Sequence, residues 1–151
     1  MQFIDSHAHL YAEEFDLDRL EVIQRAKDVG VSKILLPNID VASIDRMIDT
    51  YRLDPNYFSV MMGLHPTSVK QDYEKELLVM DEMLRDTPDL FVAVGEVGLD
   101  YYWDTTYKKE QISALEQQLD WALSYNLPVV LHCRYAYFDL AALLVKPEYQ
   151  K

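Results

Sequence analysis

Cysteine is nearly missing from this chain: Cys133 stands alone among 151 residues. A single thiol excludes an intramolecular disulfide and a cysteine-built zinc site. Glycine is scarce at four residues and proline at six, with no long polar tract, so a disordered or low-complexity chain is excluded as well. No apolar run approaches the roughly 20 residues that a membrane-spanning helix needs. The amino terminus reaches Asp5 almost at once and lacks the basic-then-apolar form of a signal peptide. These absences predict a cytoplasmic protein with no membrane partner.

Positive charge is the other shortage. Fourteen Lys and Arg face 26 Asp and Glu, a formal charge of −12. Nucleic-acid binders usually present a basic face, because neutralising phosphates releases counterions. An acidic surface repels polyanions, so any phosphate ester handled here must meet bound metal or a few local basic groups. Half of the residues are hydrophobic. That suffices for a buried core, and the length suits one domain over residues 1–151.

Short apolar runs alternate with helical patterns. The strand candidates are Phe3–Leu10, Lys33–Asn38, Phe58–Leu64, Phe91–Leu99 and Pro128–Cys133. Stripes at spacings of three and four predict helices over Leu17–Val29, Val41–Tyr51, Tyr73–Arg85, Tyr107–Tyr125 and Phe138–Val145, with Gly30 closing the first. Five strand–helix alternations predict a parallel α/β sheet covered on both faces.

In such a fold, function gathers where strands end. All four histidines fall there: His7 and His9 after the first strand, His65 after the third and His132 on the fifth. Glu96 and Asp100 lie on the fourth strand and Arg134 beside His132. Strict alternation gives Asp5, His7 and His9 one common face, gives Glu96, Gly98 and Asp100 the face of Val92 and Val94, and groups Val130 with His132 and Arg134. Imidazole nitrogen and carboxylate oxygen are ligands for zinc and similar divalent metals, so the pattern outlines a metal site. Asp5 is expected to orient a ligand histidine, and Cys133 to be a small buried hydrophobe.

Four blocks now carry a resemblance: FIDSHAHL, GLHP at Gly63–Pro66, GEVGLDYYWD at Gly95–Asp104, and PVVLHCR at Pro128–Arg134. Together they resemble the TatD family of metal-dependent deoxyribonucleases and hydrolases, which are amidohydrolase-like TIM barrels. The resemblance implies one or two divalent ions (Zn, Mg or Mn). It implies metal ligation by His7, His9, Glu96 and His132, with Glu96 bridging and catalytic. It places His65 beside the site as a catalytic and substrate-binding group. Arg134 is expected to contact phosphate or to form a structural salt bridge, and Asp100 and Tyr102 to line the substrate mouth. The implied reaction is metal-assisted hydrolysis of a phosphodiester in DNA or a smaller ester. A related esterase, lactonase or amidase, or a non-catalytic fragment, is the alternative.

The family barrel has eight βα units, whereas this sequence holds five. The family's general-base aspartate, expected beyond Lys151, and a further histidine have no counterpart here, so the chain is expected to be weakly active or inactive. The first and fifth strands would be open edges. Ile4, Leu35, Val60, Val94 and Val130 are expected to face the barrel interior and to lack partners, driving self-association or pairing with a missing segment.

Overall fold

A computed structural model describes residues 2–150. Five strands alternate with five helices in chain order. These are β1 (Phe3–Asp5), α1 (Arg19–Asp28), β2 (Val31–Leu36), α2 (Val41–Leu53), β3 (Phe58–Met62), α3 (Tyr73–Asp86), β4 (Phe91–Asp100), α4 (Lys108–Tyr125), β5 (Val129–Arg134) and α5 (Tyr137–Leu144). The strands lie side by side in sequential order, every pair parallel. That is the connectivity of a barrel wall with helices outside.

The wall is curled. In a flat sheet β1 and β5 would stand about 19 Å apart, at about 4.8 Å per strand. Yet His7, just past β1, and His132, on β5, lie 3.0 and 3.1 Å from the same Glu96 carboxylate. The five strands therefore form a half-barrel.

Local chemistry explains the helix limits. The Asp40 carboxylate accepts the Ser43 N–H at 2.8 Å while the Ser43 hydroxyl lies 3.1 Å from the Asp40 N–H, a capping box that starts α2. Gly30, at φ +90°, ends α1 in a conformation that side chains disfavour. The inward stripes of the helices, such as Ile44 and Met47, Leu77, Met80 and Leu84, and Leu115 and Leu119, pack on Ile34, Leu36, Phe58, Val60, Met62, Val94, Val97 and Leu99. Each such burial contributes roughly 1.5–3 kcal/mol.

Three expectations change. First, β1 stops at Asp5 rather than running to Leu10, so His7 and His9 stand on a loop and not on a strand face. The Asp5 side chain accepts the His7 N–H at 3.1 Å, closing a turn that leaves the ladder. The backbone touches the sheet again where the Ala8 N–H donates to Leu35 O at 3.1 Å.

Second, β4 does not alternate strictly. Its register slips between Phe91 and Ala93 against β3, and between Val94 and Val97 against β5. Each extra residue reverses the faces. Val94 thus joins Val97 and Leu99 in the helix-side core, with Val60, instead of lining the interior with Glu96. Of the other interior candidates, Leu35 and Val130 are half-buried and Ile4 is exposed.

Third, Cys133 is exposed rather than buried. It pairs in register with Leu99 on the helix side of the last strand. There α5 covers the edge only in part, and Leu131 is exposed beside it.

Gly98 sets the spacing of the strands that carry the polar groups. At φ +149°, it would place an added Cβ 1.9 Å from His132 O. Gly98→Ala is expected to destabilise the chain by about 2–4 kcal/mol through overpacking and backbone strain. Urea unfolding followed by circular dichroism measures this; an unchanged midpoint would contradict it.

Candidate metal centre

Glu96 is aimed by the second irregularity of β4 and pinned by the end of β2. Its N–H donates to Asn38 O, and the Asn38 N–H donates to Gly95 O, both at 3.2 Å. Asn38 is itself fully buried. Its amide donates to Gly63 O and Asp40 O at 3.0 Å, and its Oδ1 accepts the Ser43 hydroxyl at 3.0 Å. These bonds fix the main chain from which the Glu96 carboxylate projects.

Two groups of metal-competent atoms meet on that carboxylate. On one side His7 Nε2 lies 3.0 Å and His9 Nε2 3.6 Å from Oε2, with the two nitrogens 3.2 Å apart. On the other, His132 Nδ1 lies 3.1 Å and His65 Nε2 3.7 Å from Oε1, with 3.1 Å between them. Ligands about 2.1 Å from a tetrahedral ion are about 3.4 Å apart. Both groups therefore have the spacing and the mixed nitrogen–oxygen chemistry of a divalent cation site.

Hydrogen bonds behind the imidazoles set their tautomers. The Tyr11 hydroxyl spends its proton on Pro37 O at 2.6 Å, so its oxygen accepts from His9 Nδ1 at 2.8 Å and leaves Nε2 as an electron-pair donor. His132 Nε2–H donates to Asp100 Oδ2 at 2.9 Å, which in the neutral ring leaves Nδ1 as an electron-pair donor towards Glu96. Carboxylate–histidine pairing of this kind orients metal ligands. His65 is held the other way. Its Nδ1 accepts the Thr67 N–H at 3.2 Å, which puts the neutral ring's proton on Nε2, 3.1 Å from His132 Nδ1.

The electrostatics follow the same contacts. Burial alone would push Glu96 up, but its contacts with the His132 and His9 imidazoles, with His65 and His7 close behind, hold it well below the usual carboxylate range. The bond to Glu96 raises His132 against its burial, with Asp100 adding to the effect. Asp100 would also rise through burial, yet the Tyr102 N–H and His132 bring it down. Burial pushes His65 down to about 4, so it is neutral near pH 7.

His7, His9, Glu96 and His132 thus converge, and His65 stands closer than a neighbouring position requires. Asp5 binds the His7 backbone and no imidazole. Asp100 is buried beneath His132, its other oxygen taking the Tyr102 N–H at 2.9 Å. Tyr102 and Arg134 sit at the rim, with the guanidinium 3.7 Å over the Tyr102 ring. No carboxylate lies within 4.0 Å of Arg134 among the described residues, so the salt-bridge alternative is not realised. Two contributors escaped the sequence reading. Tyr11 continues the alternate spacing of His7 and His9, and Asn38 follows a strand end as the histidines do; both signals were present.

A family model described as TatD related DNase matches residues 4–151. The chain belongs to this TatD-related family. It is 36% identical over 143 residues to the "Uncharacterized metal-dependent hydrolase YabD" of Bacillus subtilis, covering 93% of this chain and 54% of that protein. It is 31% identical over 140 residues to the "3'-5' ssDNA/RNA exonuclease TatD" of Erwinia amylovora, covering 93% and 53%. The crystal structure of YjjV, a TatD homologue from Escherichia coli, superposes with a TM-score of 0.86 at 33% identity over 94% of this chain and 54% of that one. The chain therefore spans about half the length of the curated relatives it matches. The half-barrel matches a fragment of the TatD barrel, and the two groups around Glu96 are the metal-binding candidates of a metal-dependent hydrolase family.

Asp100→Asn tests the tautomer argument in this TatD-family chain. The carboxylate accepts from both His132 and the Tyr102 N–H, and an amide must turn a donor towards one of them. Divalent-metal affinity is expected to fall about 10- to 100-fold, read by competition with a chromogenic chelator. An unchanged affinity would remove Asp100 from the centre.

Proposed function

We propose that this chain carries the metal-holding part of a phosphodiester hydrolase acting on nucleic acid. His7, His9 and Glu96 would hold one divalent cation, and Glu96 with His132 would hold a second. The observation that carries this reading is the division of labour on Glu96, each oxygen faced by its own imidazole group. Zinc, manganese and magnesium are the candidate ions, and the imidazole-rich donor set favours the first two.

Such cations supply Lewis acidity, polarising a phosphoryl oxygen and making water acidic near neutral pH. The chain's own residues do the rest. His65 presents its Nε2 proton to a phosphate oxygen, and Arg134 meets the phosphate charge at the rim. Asp100 acts by holding His132, while Tyr102 supports Arg134. The −12 charge no longer conflicts with a polyanionic substrate, because attraction is confined to this mouth. The exonuclease name of the Erwinia relative supports single-stranded DNA or RNA as the substrate class. The exposed thiol of Cys133 suits a reducing compartment, the cytoplasm. Among the described residues, no helix is long and apolar enough to cross a membrane.

Both carboxylates at the mouth are committed, Glu96 to imidazoles and Asp100 to His132 and Tyr102. Neither is free to take a proton from water, and a missing general base costs about 10²–10⁴-fold. Mn²⁺ at a hundredfold excess over its dissociation constant is expected to stabilise the fold by about 2.7 kcal/mol, read as a rise in the melting temperature. Glu96→Gln should abolish the increment. Hydrolysis of single-stranded DNA should be detectable only with metal, and slower than that of a full-length relative by the stated factor. Metal-independent turnover, or a metal response that survives Glu96→Gln, would refute the assignment.

The open sheet also shapes the chain's partners. An apolar groove beside β5 is lined by Leu123, Leu127, Leu131 and Leu144, with Leu123 and Leu131 exposed. We propose that the chain studied alone self-associates through this edge. Light scattering is expected to give a mass above that of the monomer; a monodisperse monomer would refute it.

A further inference from the structure

Two exposed rings at the rim, Trp103 and Tyr135, take no part in the hydrolytic chemistry and adjoin Arg134 and Tyr102, which do. Beyond Asp100 and His132 the neighbouring strands β4 and β5 bring two pairs of adjacent residues onto one surface: Tyr102 and Trp103 after β4, Arg134 and Tyr135 at the end of β5. The Tyr102 and Tyr135 rings stack at 5.5 Å between centroids, 14° from parallel, and Trp103 meets Tyr102 edge-on at 4.7 Å. The Arg134 guanidinium lies 3.7 Å from the Tyr102 centroid and 5.1 Å from that of Trp103.

These groups are not core residues that fell short of burial. Trp103 is 69% exposed and Tyr135 78%. Tyr135 also occupies φ +54°, a left-handed conformation that is costly for a bulky side chain and would suit glycine or asparagine better. That strain turns an aromatic ring onto a wet surface, where it buries little. Arg134 is equally unusual. The other five arginines, Arg19, Arg25, Arg46, Arg52 and Arg85, each have a carboxylate within 4.0 Å, whereas among the described residues Arg134 meets rings and no carboxylate. The nearest acidic loop residue by sequence, Asp104, turns its carboxylate onto the Thr106 N–H.

Planar, solvent-facing rings beside an unpaired guanidinium match one ligand chemistry well: a flat heterocycle joined to a phosphate. We propose that Tyr135, Trp103 and Tyr102 form a stacking platform for an unpaired nucleobase, with Arg134 on its adjoining phosphate. The inference rests on the phosphodiesterase reading, because the platform is continuous with the centre. Tyr102 hangs by its N–H on Asp100, the partner of His132, and Arg134 follows His132 by two residues. A base on the platform therefore belongs to a nucleotide whose phosphodiester reaches the mouth. A base paired and stacked within a duplex cannot present its face to these rings, so the platform selects single strands. Stacking also tolerates any base, since each has a π-face.

The test is binding, kept apart from turnover. With the chain in EDTA, a short oligothymidylate is titrated against an abasic strand of equal length, which has the same phosphates without bases. Trp103 is exposed and Trp121 buried, so quenching of intrinsic fluorescence reports the platform. The oligothymidylate is expected to quench and to bind about 5- to 100-fold more tightly than the abasic strand. Tyr135→Ala should remove most of that difference and Tyr135→Phe should retain it, with melting temperatures unchanged. No difference between the two strands, or a difference that Tyr135→Ala leaves intact, overturns the platform. Hydrolysis of bis(p-nitrophenyl) phosphate with Mn²⁺ is measured separately. No turnover beside base-dependent binding would sink the hydrolase reading alone, and turnover beside base-independent binding would sink the platform alone.

Discussion

Everything distinctive about this half-barrel depends on one buried carboxylate. Glu96 is in contact with all four histidines of the chain, and these arrive from the loop after β1, from the segment after β3 and from β5. Isolated, a carboxylate at that depth would be expensive to ionise. Surrounded by imidazoles it stays ionised, and the imidazoles in turn have a reason to approach one another more closely than neutral rings otherwise would. The backbone bonds from Asn38 and the irregular course of β4 serve the same end, since they aim the carboxylate before any partner is present.

Much of this was legible in the residues, and the failures are informative. Helix existence and type followed from stripes such as Leu77, Met80 and Leu84, because a helix that covers a sheet must bury one face. The convergence of His7, His9, Glu96 and His132 followed from their common placement near strand ends. Strict alternation of faces, however, fails at two points of the chain. The Asp5 turn removes His7 and His9 from the ladder, and the extra residues of β4 put Val94 and Glu96 on opposite faces. Bulges depend on backbone approach between strands, as at Gly98 against His132, and alternation in one strand cannot register them. Cys133 was misplaced for a different reason: its burial depends on what covers β5, which is a property of the neighbours and not of VVLHCR itself.

The acidic balance has a coherent place in the picture. Most of the basic residues are tied up locally, as where Arg19 and Arg46 share Asp16 or Lys108 meets Asp139. Surface pairs of this kind add little stability. Their effect on recognition is larger, because they leave the far surface negative and the mouth as the place where a phosphate is welcome. Specificity for anions is thereby built from position, in a molecule whose total charge opposes binding them.

The curl of the sheet has a mechanical consequence. The residues gathered at Glu96 come from the loop after β1, the segment after β3 and the outermost strand β5, so they close across the concave side of the arc. Opening the arc by flattening the sheet would draw His7 away from Glu96, and pulling those groups together would tighten it. Curvature and ligand spacing are then a single coordinate. An ion captured at the centre would act as a clasp, stiffening a wall whose hydrogen-bond ladder alone leaves it free to flex.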